Sequence, residues 1–415
     1  MTTSAATDAF VQAHLHDDVR KLALRGGPAD VCLSEALTQI EGYQLAERKL
    51  PGWAAVGGIR WPVRLSLEQC SSGVTAAYKR VLVQTLVPQP RAAFADLTAG
   101  LGVDFAAIAP LFARAVCVEA QPSLVELARH NMPLLGLGAA HVVCATAEAF
   151  IQQLTVPMQD GMSFDLLFLD PARRDSAGRK VVMLADCMPD VVQLQEALLH
   201  TAHWVLVKLS PMLDITAMLR SLRCVRQVHV VSVGGECKEL LAAMSLQGGG
   251  EPVVHCVDLP VAAVDADVAG VRAFSFTRGE EAAAPVAYAT AVEAYLYEPG
   301  ASLLKAGAFR LPCSRFGLSK LASDTHLYTS SRLVAAFPGR IWRVVAATSF
   351  AKRELRAFMG TRTRADIATR GFPLSTAELR RQLHLREGGG VHLIATTLAD
   401  GSRRLCEVER VVAEK

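Results

Sequence analysis

Residues 168–175 read FLDPARRD, an apolar run that ends in a carboxylate, a proline and two guanidinium groups. A buried strand ordinarily closes on glycine or a polar turn. Asp170 can accept a hydrogen bond from an amine and hold its lone pair toward an electrophile, while Pro171 fixes the turn behind it. Arg173 and Arg174 can stack a planar guanidinium on a base or grip a phosphate; a surface pairing with Asp175 or Asp186 is the alternative. Lys208 and Asp214 flank LSPML at the end of a later apolar run. Lys208 can steer a phosphate and Asp214 can help to remove a proton, and an ordinary ion pair accounts for either equally well. In GGECKE, Glu236, Cys237 and Lys238 are further candidates, although a cysteine nucleophile would have to face its target.

A second cluster lies in DLTAGLGVD, residues 96–104. Gly100 and Gly102 let the backbone turn sharply and approach a ligand, and the helix behind them offers free N–H groups. Glu119, at the end of VCVEA, can accept both hydroxyls of a ribose. A dinucleotide site would want a third glycine where Phe105 stands, and would set its pyrophosphate near Asp104, which is electrostatically wrong. S-adenosylmethionine carries an ammonium and a cationic sulfur, so Asp96, the glycines and Glu119 suit it better. Glycines kept only for their turn are the competing explanation.

These residues need a scaffold that brings strand ends together. From Arg91 the chain alternates short apolar strands with helices: AAFADLT, AVCVEA, HVVCATA, FDLLFLD, HWVLVKLS and VRQVHVVSV are the strands. Helices are expected over DFAAIAPLFA, over SLVELARHNMPLLG from Ser123, over AEAFIQQL, after Pro189 and over ITAMLRSL. That alternation predicts a doubly wound, mainly parallel seven-stranded α/β sheet of the Rossmann-like kind. The seventh strand, CKELLAAMSL, follows after only GGE, too short a link for a helical crossover, so it should return antiparallel. The first ninety residues read as helices: one over AATDAFVQAHLHDDVRKLAL, one capped by Ser34 and stopped before Pro51, and one over SSGVTAAYKRVLVQTLV. Smaller α+β domains should follow QGGGEP. The expected boundaries are 1–88 helical, 89–250 α/β, 251–325 and 326–415.

The chain has 415 residues, enough for two or three domains. Its start has no basic region followed by an apolar core, no run is long enough to span a bilayer, and ten scattered cysteines form no CxxC pair or metal-spaced cluster. A cytoplasmic protein with reduced thiols and no metal is the expectation. The net charge of +3 hides an asymmetry: residues 340–415 hold 15 Lys+Arg against 8 Asp+Glu, leaving 28 against 32 elsewhere. A basic terminal module points to a polyanionic partner.

Five motifs in order, EQCSSGVTAAYKR, DLTAGLGVD, FLDPARRD, VKLSPMLD and GGECKELL, make the chain similar to bacterial class I methyltransferases with a THUMP-like C-terminal domain and a ferredoxin-like insert. YLYEPGASLLKAG, FPGR and RADIATRGFPLS extend the resemblance downstream, so the third and fourth expected segments become ferredoxin-like and THUMP-like. The resemblance implies an S-adenosylmethionine site at Asp96, Gly100, Gly102 and Glu119, with residues 69–79 closing over the methionine end. Such enzymes usually offer an aspartate to adenine after the third strand. Thr146 stands there, able to accept a hydrogen bond, with Glu148 as the alternative. Many class I enzymes acting on exocyclic amines follow the aspartate of the fourth strand with two prolines and an aromatic; here Ala172 and Arg173 replace the second proline and the ring. The resemblance thus assigns catalysis to Asp170, Pro171 and Arg173, and substrate binding to Arg174 and Lys208. It implies methylation of a base nitrogen in tRNA or rRNA. A methyltransferase of proteins or small molecules, and a non-catalytic RNA-binding assembly protein keeping the pocket, are the rival readings.

Overall fold

The computed structural model describes residues 4–155, 164–172, 184, 187–261, 268, 271 and 273–411. Two compact units divide the chain. The first comprises Met1–Val233, Lys238–Gly250 and Leu259–Val271, and the second comprises Gly234–Cys237, Glu251–Asp258 and Arg272–Lys415.

The first unit begins with helices α1 Ala5–Ala13, α2 Val19–Arg25, α3 Leu33–Lys49, α4 Pro51–Ala54, α5 Arg64–Gln69 and α6 Gly73–Leu86. The single helix expected at the start is two, because the Asp18 carboxylate accepts from the N–H groups of Arg20 and Lys21 and starts a new helix. Ser34 does not cap α3. The helix starts two residues earlier, at Leu33, with Cys32 in the cap position and no side-chain cap bond. Gly42 sits inside α3 because a Cβ there would lie 2.3 Å from Cβ of Trp61, so glycine admits the indole that closes this small core. The Ser72 hydroxyl caps α6, and Thr75, Lys79, Leu82 and Leu86 recur at helical spacing on its buried side.

The sheet follows with β1 Ala93–Asp96, α7 Val103–Ile108, β2 Arg114–Glu119, α8 Pro122–Leu134, β3 His141–Cys144, α9 Ala147–Thr155 and β4 Phe164–Leu169. Then come α10 Val191–Thr201, β5 Ala202–Leu209, α11 Ile215–Ser221, β6 Val225–Val233 and β7 Glu236–Met244. Proline takes the first position of α8, ahead of the expected Ser123. These strands lie in the order β3-β2-β1-β4-β5-β7-β6. The pairs β2 with β3, β1 with β2, β1 with β4 and β4 with β5 are parallel. β7 returns antiparallel as its short link requires, and slots between β5 and β6, with Leu209 opposite Leu240. Phe94, Leu166, Leu167, Phe168 and Val205 are buried in the central strands, each contributing about 1.5–3 kcal/mol of burial.

The chain reverses direction across the sheet between β1 and β4, so the carboxyl ends of the parallel strands border a crevice. Because β7 runs the other way, its first residues reach that same edge.

The second unit contains β8 Val253–Leu259 paired antiparallel with β9 Phe274–Thr277. A separate seven-stranded sheet is built from β10 Tyr295–Pro299, β11 Ser319–Ala322, β12 Thr325–Ser330, β13 Gly339–Ser349, β14 Asp366–Arg370, β15 His392–Thr397 and β16 Arg403–Arg410, in the order β11-β12-β10-β13-β16-β15-β14. Its helices include Lys352–Met359, whose Leu355, Phe358 and Met359 pack into the core under β14 and β15.

Candidate active site at the carboxyl edge of the sheet

β1 delivers Asp96 to the edge almost wholly buried, at 1% exposure. Its carboxylate accepts from the N–H of Thr98 at 3.0 Å. Burial pushes its pKa well above the ordinary carboxylate range, and the charges of Asp104, Asp170 and Glu119 add to that shift. The turn behind it is held by Glu119, whose two oxygens accept from the N–H groups of Gly100 (2.7 Å) and Gln121 (2.8 Å). Each oxygen keeps a further lone pair. Gly100 has φ +57°, and a Cβ there would approach nothing nearer than 4.0 Å, so open space adjoins this turn. Gly102 answers to packing: φ is +87°, and a Cβ would stand 2.2 Å from Cε of Met132 in α8. Neither Asp96 nor Glu119 has a lysine or arginine partner among the described residues. Unpaired carboxylates beside an open glycine turn suit a ligand bearing an ammonium and a sulfonium, so the residues present fit S-adenosylmethionine.

β4 delivers Asp170 beside it. The N–H of Asp170 donates to Oγ1 of Thr98 at 2.6 Å, tying the turn after β4 to the turn after β1. Its side chain is 36% exposed and accepts a 2.5 Å hydrogen bond from Nζ of Lys208, carried by the neighbouring strand β5. Burial alone would lower the Lys208 pKa, but the carboxylates of Asp170, Asp104 and Glu239 outweigh it and hold the ammonium above the usual lysine value. Pro171 is buried, and Ala172 exchanges two backbone hydrogen bonds with Met188, at 2.8 and 3.0 Å, which clamps the strand end.

Between these corners lies a buried network that the sequence motifs touch without revealing. Lys79, fully buried in α6, spends its three protons on Ser71 Oγ (3.0 Å), Asp104 Oδ1 (3.0 Å) and Glu239 Oε2 (2.9 Å). Ser71 donates to the second oxygen of Asp104 at 2.7 Å. Burial works to raise the Asp104 pKa, but the Lys79 and Lys208 charges and the Ser71 bond together lower it; Glu239 is raised, by burial above all. Asp104 thus reaches a lysine rather than an open ligand site. Glu239 was not among the sequence candidates, which stopped one residue short at Lys238. It is the last charged residue before the apolar run LLAAM of β7, and Lys79 lies on the apolar side of α6.

Three other candidates stand apart. Thr146 is exposed, and its hydroxyl accepts from the N–H of Ala149 at 3.2 Å, the position of a cap on α9. Asp214 likewise caps α11 by accepting from Ala217 at 2.8 Å, while the ion pair expected as an alternative for Lys208 is made with Asp170. Arg173 and Arg174, with their alternative partners Asp175 and Asp186, lie outside the described residues. Lys208 also lines a cleft of about 1490 Å³, together with Ser71, Glu239 and residues of α3, α4 and α6. Among the described residues no group of three or more His, Cys, Asp or Glu could hold a metal ion, and no helix is long and apolar enough to cross a membrane.

Comparisons with known proteins bear on the family and the fold. Residues 295–338 match the model of a ferredoxin-like domain, and residues 339–410 match that of a THUMP-like domain. Two S-adenosylmethionine-dependent methyltransferases of Mycobacterium tuberculosis, from strains CDC 1551 / Oshkosh and H37Rv and both described as uncharacterized, are each 26% identical over 313 residues, 74% of this chain and 78% of theirs. A crystal structure from Porphyromonas gingivalis W83, described as that of a candidate methyltransferase, is 33% identical, covers 98% of both chains and superposes with a TM-score of 0.84. Sharing nearly its whole length with that structure and both terminal modules with the family models, the chain belongs to the class I S-adenosylmethionine-dependent methyltransferases that carry ferredoxin-like and THUMP-like C-terminal domains.

Proposed function

We propose that this methyltransferase acts on a nitrogen of a base in tRNA or rRNA. The observation that carries the reading is Asp170: a half-exposed carboxylate at the end of β4, fixed by Lys208 and Thr98, beside the glycine turn. Such an oxygen accepts a hydrogen bond from an N–H of the target and so aims the nitrogen lone pair, and positioning supplies most of the rate in a transfer of this kind. When bound, S-adenosylmethionine supplies a methyl group on a cationic sulfur, with Asp96 toward its ammonium and Glu119 toward its ribose. Lys208 holds the Asp170 carboxylate in place through its hydrogen bond, and Pro171 stiffens the turn. Arg173 and Arg174 stand where related enzymes place a ring, and they can hold the base or its phosphate.

RNA as the substrate class is supported by charge in the second unit. Several tail arginines are already matched: Arg343 with Glu409, Arg362 with Glu407 and Arg370 with Glu298. Lys352, Arg353 and Arg356 on the helix Lys352–Met359 are exposed, and no acid pairs with them among the described residues. A THUMP-like module with a free cationic helix face suits a polyanion.

The test uses radiolabelled S-adenosylmethionine and RNA from a strain lacking the gene, with wild-type and Asp170→Ala protein. Label should enter RNA with wild type alone. Label in protein or small molecules instead, or cofactor binding with no transfer, would sink the reading.

A further inference from the structure

We infer that the cleft walled by the N-terminal helices is the track for a single-stranded segment of the RNA substrate, with Arg48 and Arg80 as its phosphate contacts. The inference rests on the proposed RNA substrate and names where the strand is held. The cleft is larger than the ~300–1,000 Å³ that encloses a small molecule, at about 1490 Å³. Its wall carries Arg48, Lys49, Arg80, Lys208 and Lys238 against the acids Glu68 and Glu239. Both acids are occupied: Glu68 accepts from Arg64 Nε at 2.7 Å, and Glu239 from Lys79 at 2.9 Å. Two of the cations are occupied as well. Lys49 donates to the carbonyls of Leu67 and Glu68 at the end of α5, and Lys208 holds Asp170.

Arg48 and Arg80 are different. Neither side chain has a hydrogen bond or an ion pair among the described residues, although Arg80 is only partly exposed. Two unmatched guanidinium groups on separate helices of the wall, α3 and α6, make a cleft that wants anions at more than one point. The half-buried indole of Trp53 in the same wall offers a flat surface on which a base can lie. Lys208 is shared between this wall and Asp170, so a strand lying in the cleft brings its nucleotides to the carboxylate that would receive the target amine. On this assignment the N-terminal helices are part of the substrate site as well as a support for the sheet.

The experiment compares the wild-type full chain with Arg48→Gln/Arg80→Gln, and with Lys352→Ala/Arg353→Ala/Arg356→Ala in the second unit. Binding of a short single-stranded RNA oligonucleotide is followed by anisotropy across a salt series, with S-adenosylhomocysteine affinity and thermal melting measured on each protein. The double glutamine variant should bind RNA on the order of tenfold more weakly, with the slope of log affinity against log salt reduced by about two, one for each lost phosphate contact. Its S-adenosylhomocysteine affinity should stay at the wild-type value. Arg48→Lys/Arg80→Lys, which keeps charge but loses the planar fork, should recover part of the salt slope. RNA affinity and salt slope unchanged in the double variant overturn the assignment, and so does a loss confined to cofactor binding, which would make the cleft part of the cofactor site. A wild-type protein that labels RNA, beside a double variant with the same RNA KM, removes the cleft alone. A wild-type protein that labels no RNA removes the proposed substrate and the cleft together.

Discussion

Asp96 and Asp170 end two strands that pair side by side, β1 and β4, yet their charges are handled in opposite ways. Asp96 is buried, accepts from one backbone N–H and has no cation beside it, so its pKa is raised. Asp170 is open to solvent on one side and already matched by Lys208. The difference separates two tasks. A carboxylate without a counterion is a place for a cationic ligand, which relieves the cost of the buried charge when it binds. A carboxylate already held by a lysine within the protein is directional, with an oxygen fixed to accept from a neutral amine. On the proposed reading, adjacent acids of the same type would serve a charged cofactor and an uncharged base.

The largest effect should come from the network that keeps the corners apart. Lys79→Met leaves Asp104 and Glu239 buried without their hydrogen-bonded counterion, with only Lys208, 4.0 Å from Asp104, nearby, and breaking a buried pair in this way costs about 3–5 kcal/mol. The expected outcome is a much lower unfolding midpoint in urea, together with weakened cofactor binding. Stability within 1 kcal/mol of wild type would mean that water can replace the Lys79 ammonium, and that the network does not set the edge.

Next in size is the substrate corner itself. If Lys208 acts by placing Asp170, Lys208→Met should lower kcat for RNA by about ten- to a hundredfold with little change in KM. If it instead steers a phosphate, as the sequence alone allows, KM should carry the loss. Single-turnover rates against RNA concentration distinguish the two, and the first outcome makes Lys208 a positioning residue.

The cofactor corner gives a smaller effect that depends on pH. The folded chain holds a proton on Asp96 over a range where the unfolded chain has already released it. The contribution of Asp96 to stability therefore falls as pH rises from the ordinary carboxylate range toward its raised value, and is least favourable above it. Binding a cationic cofactor favours the ionised form and expels that proton. Affinity for S-adenosylmethionine should accordingly increase with pH, by up to about tenfold per unit across the titration. Asp96→Asn should bind more weakly, with a flatter profile. Calorimetry in two buffers of different ionisation enthalpy detects the proton, and equal heats in both would remove the contrast with Asp170.

The alternation of strands and helices was legible because period and length separate them, and the antiparallel return of β7 followed from a link too short to cross the sheet. The insertion of β7 between β5 and β6 was not, since strand order depends on pairing rather than local pattern. Strand-end residues were legible for the same reason: Asp96, Glu119 and Asp170 sit where a strand pattern stops. Lys79 and Glu239 are 160 positions apart in the chain, and only folding shows that each is the other's counterion. The split between α1 and α2 turned on a single cap, Asp18, hidden in a run of mixed polarity.

Thr146 gives the smallest and sharpest version of the contrast between holding a ligand and holding the fold. Its hydroxyl is the cap acceptor for α9, through Ala149, at the position where related enzymes offer a carboxylate to adenine. Thr146→Ala should cost about 1 kcal/mol of stability, the usual value of a lost cap. Thr146→Asp should restore that stability, since aspartate caps at least as well and adds charge at a helix N-terminus. If the cap is the whole role, S-adenosylhomocysteine affinity stays level across wild type and both variants while the melting temperature falls and recovers. If adenine also leans on this residue, affinity drops in alanine and rises above wild type in aspartate, because a carboxylate is the stronger acceptor for an amino group. The cap stability and the ligand affinity then move independently, and that separation decides whether the third strand end belongs with Asp96 or only with the helix it starts.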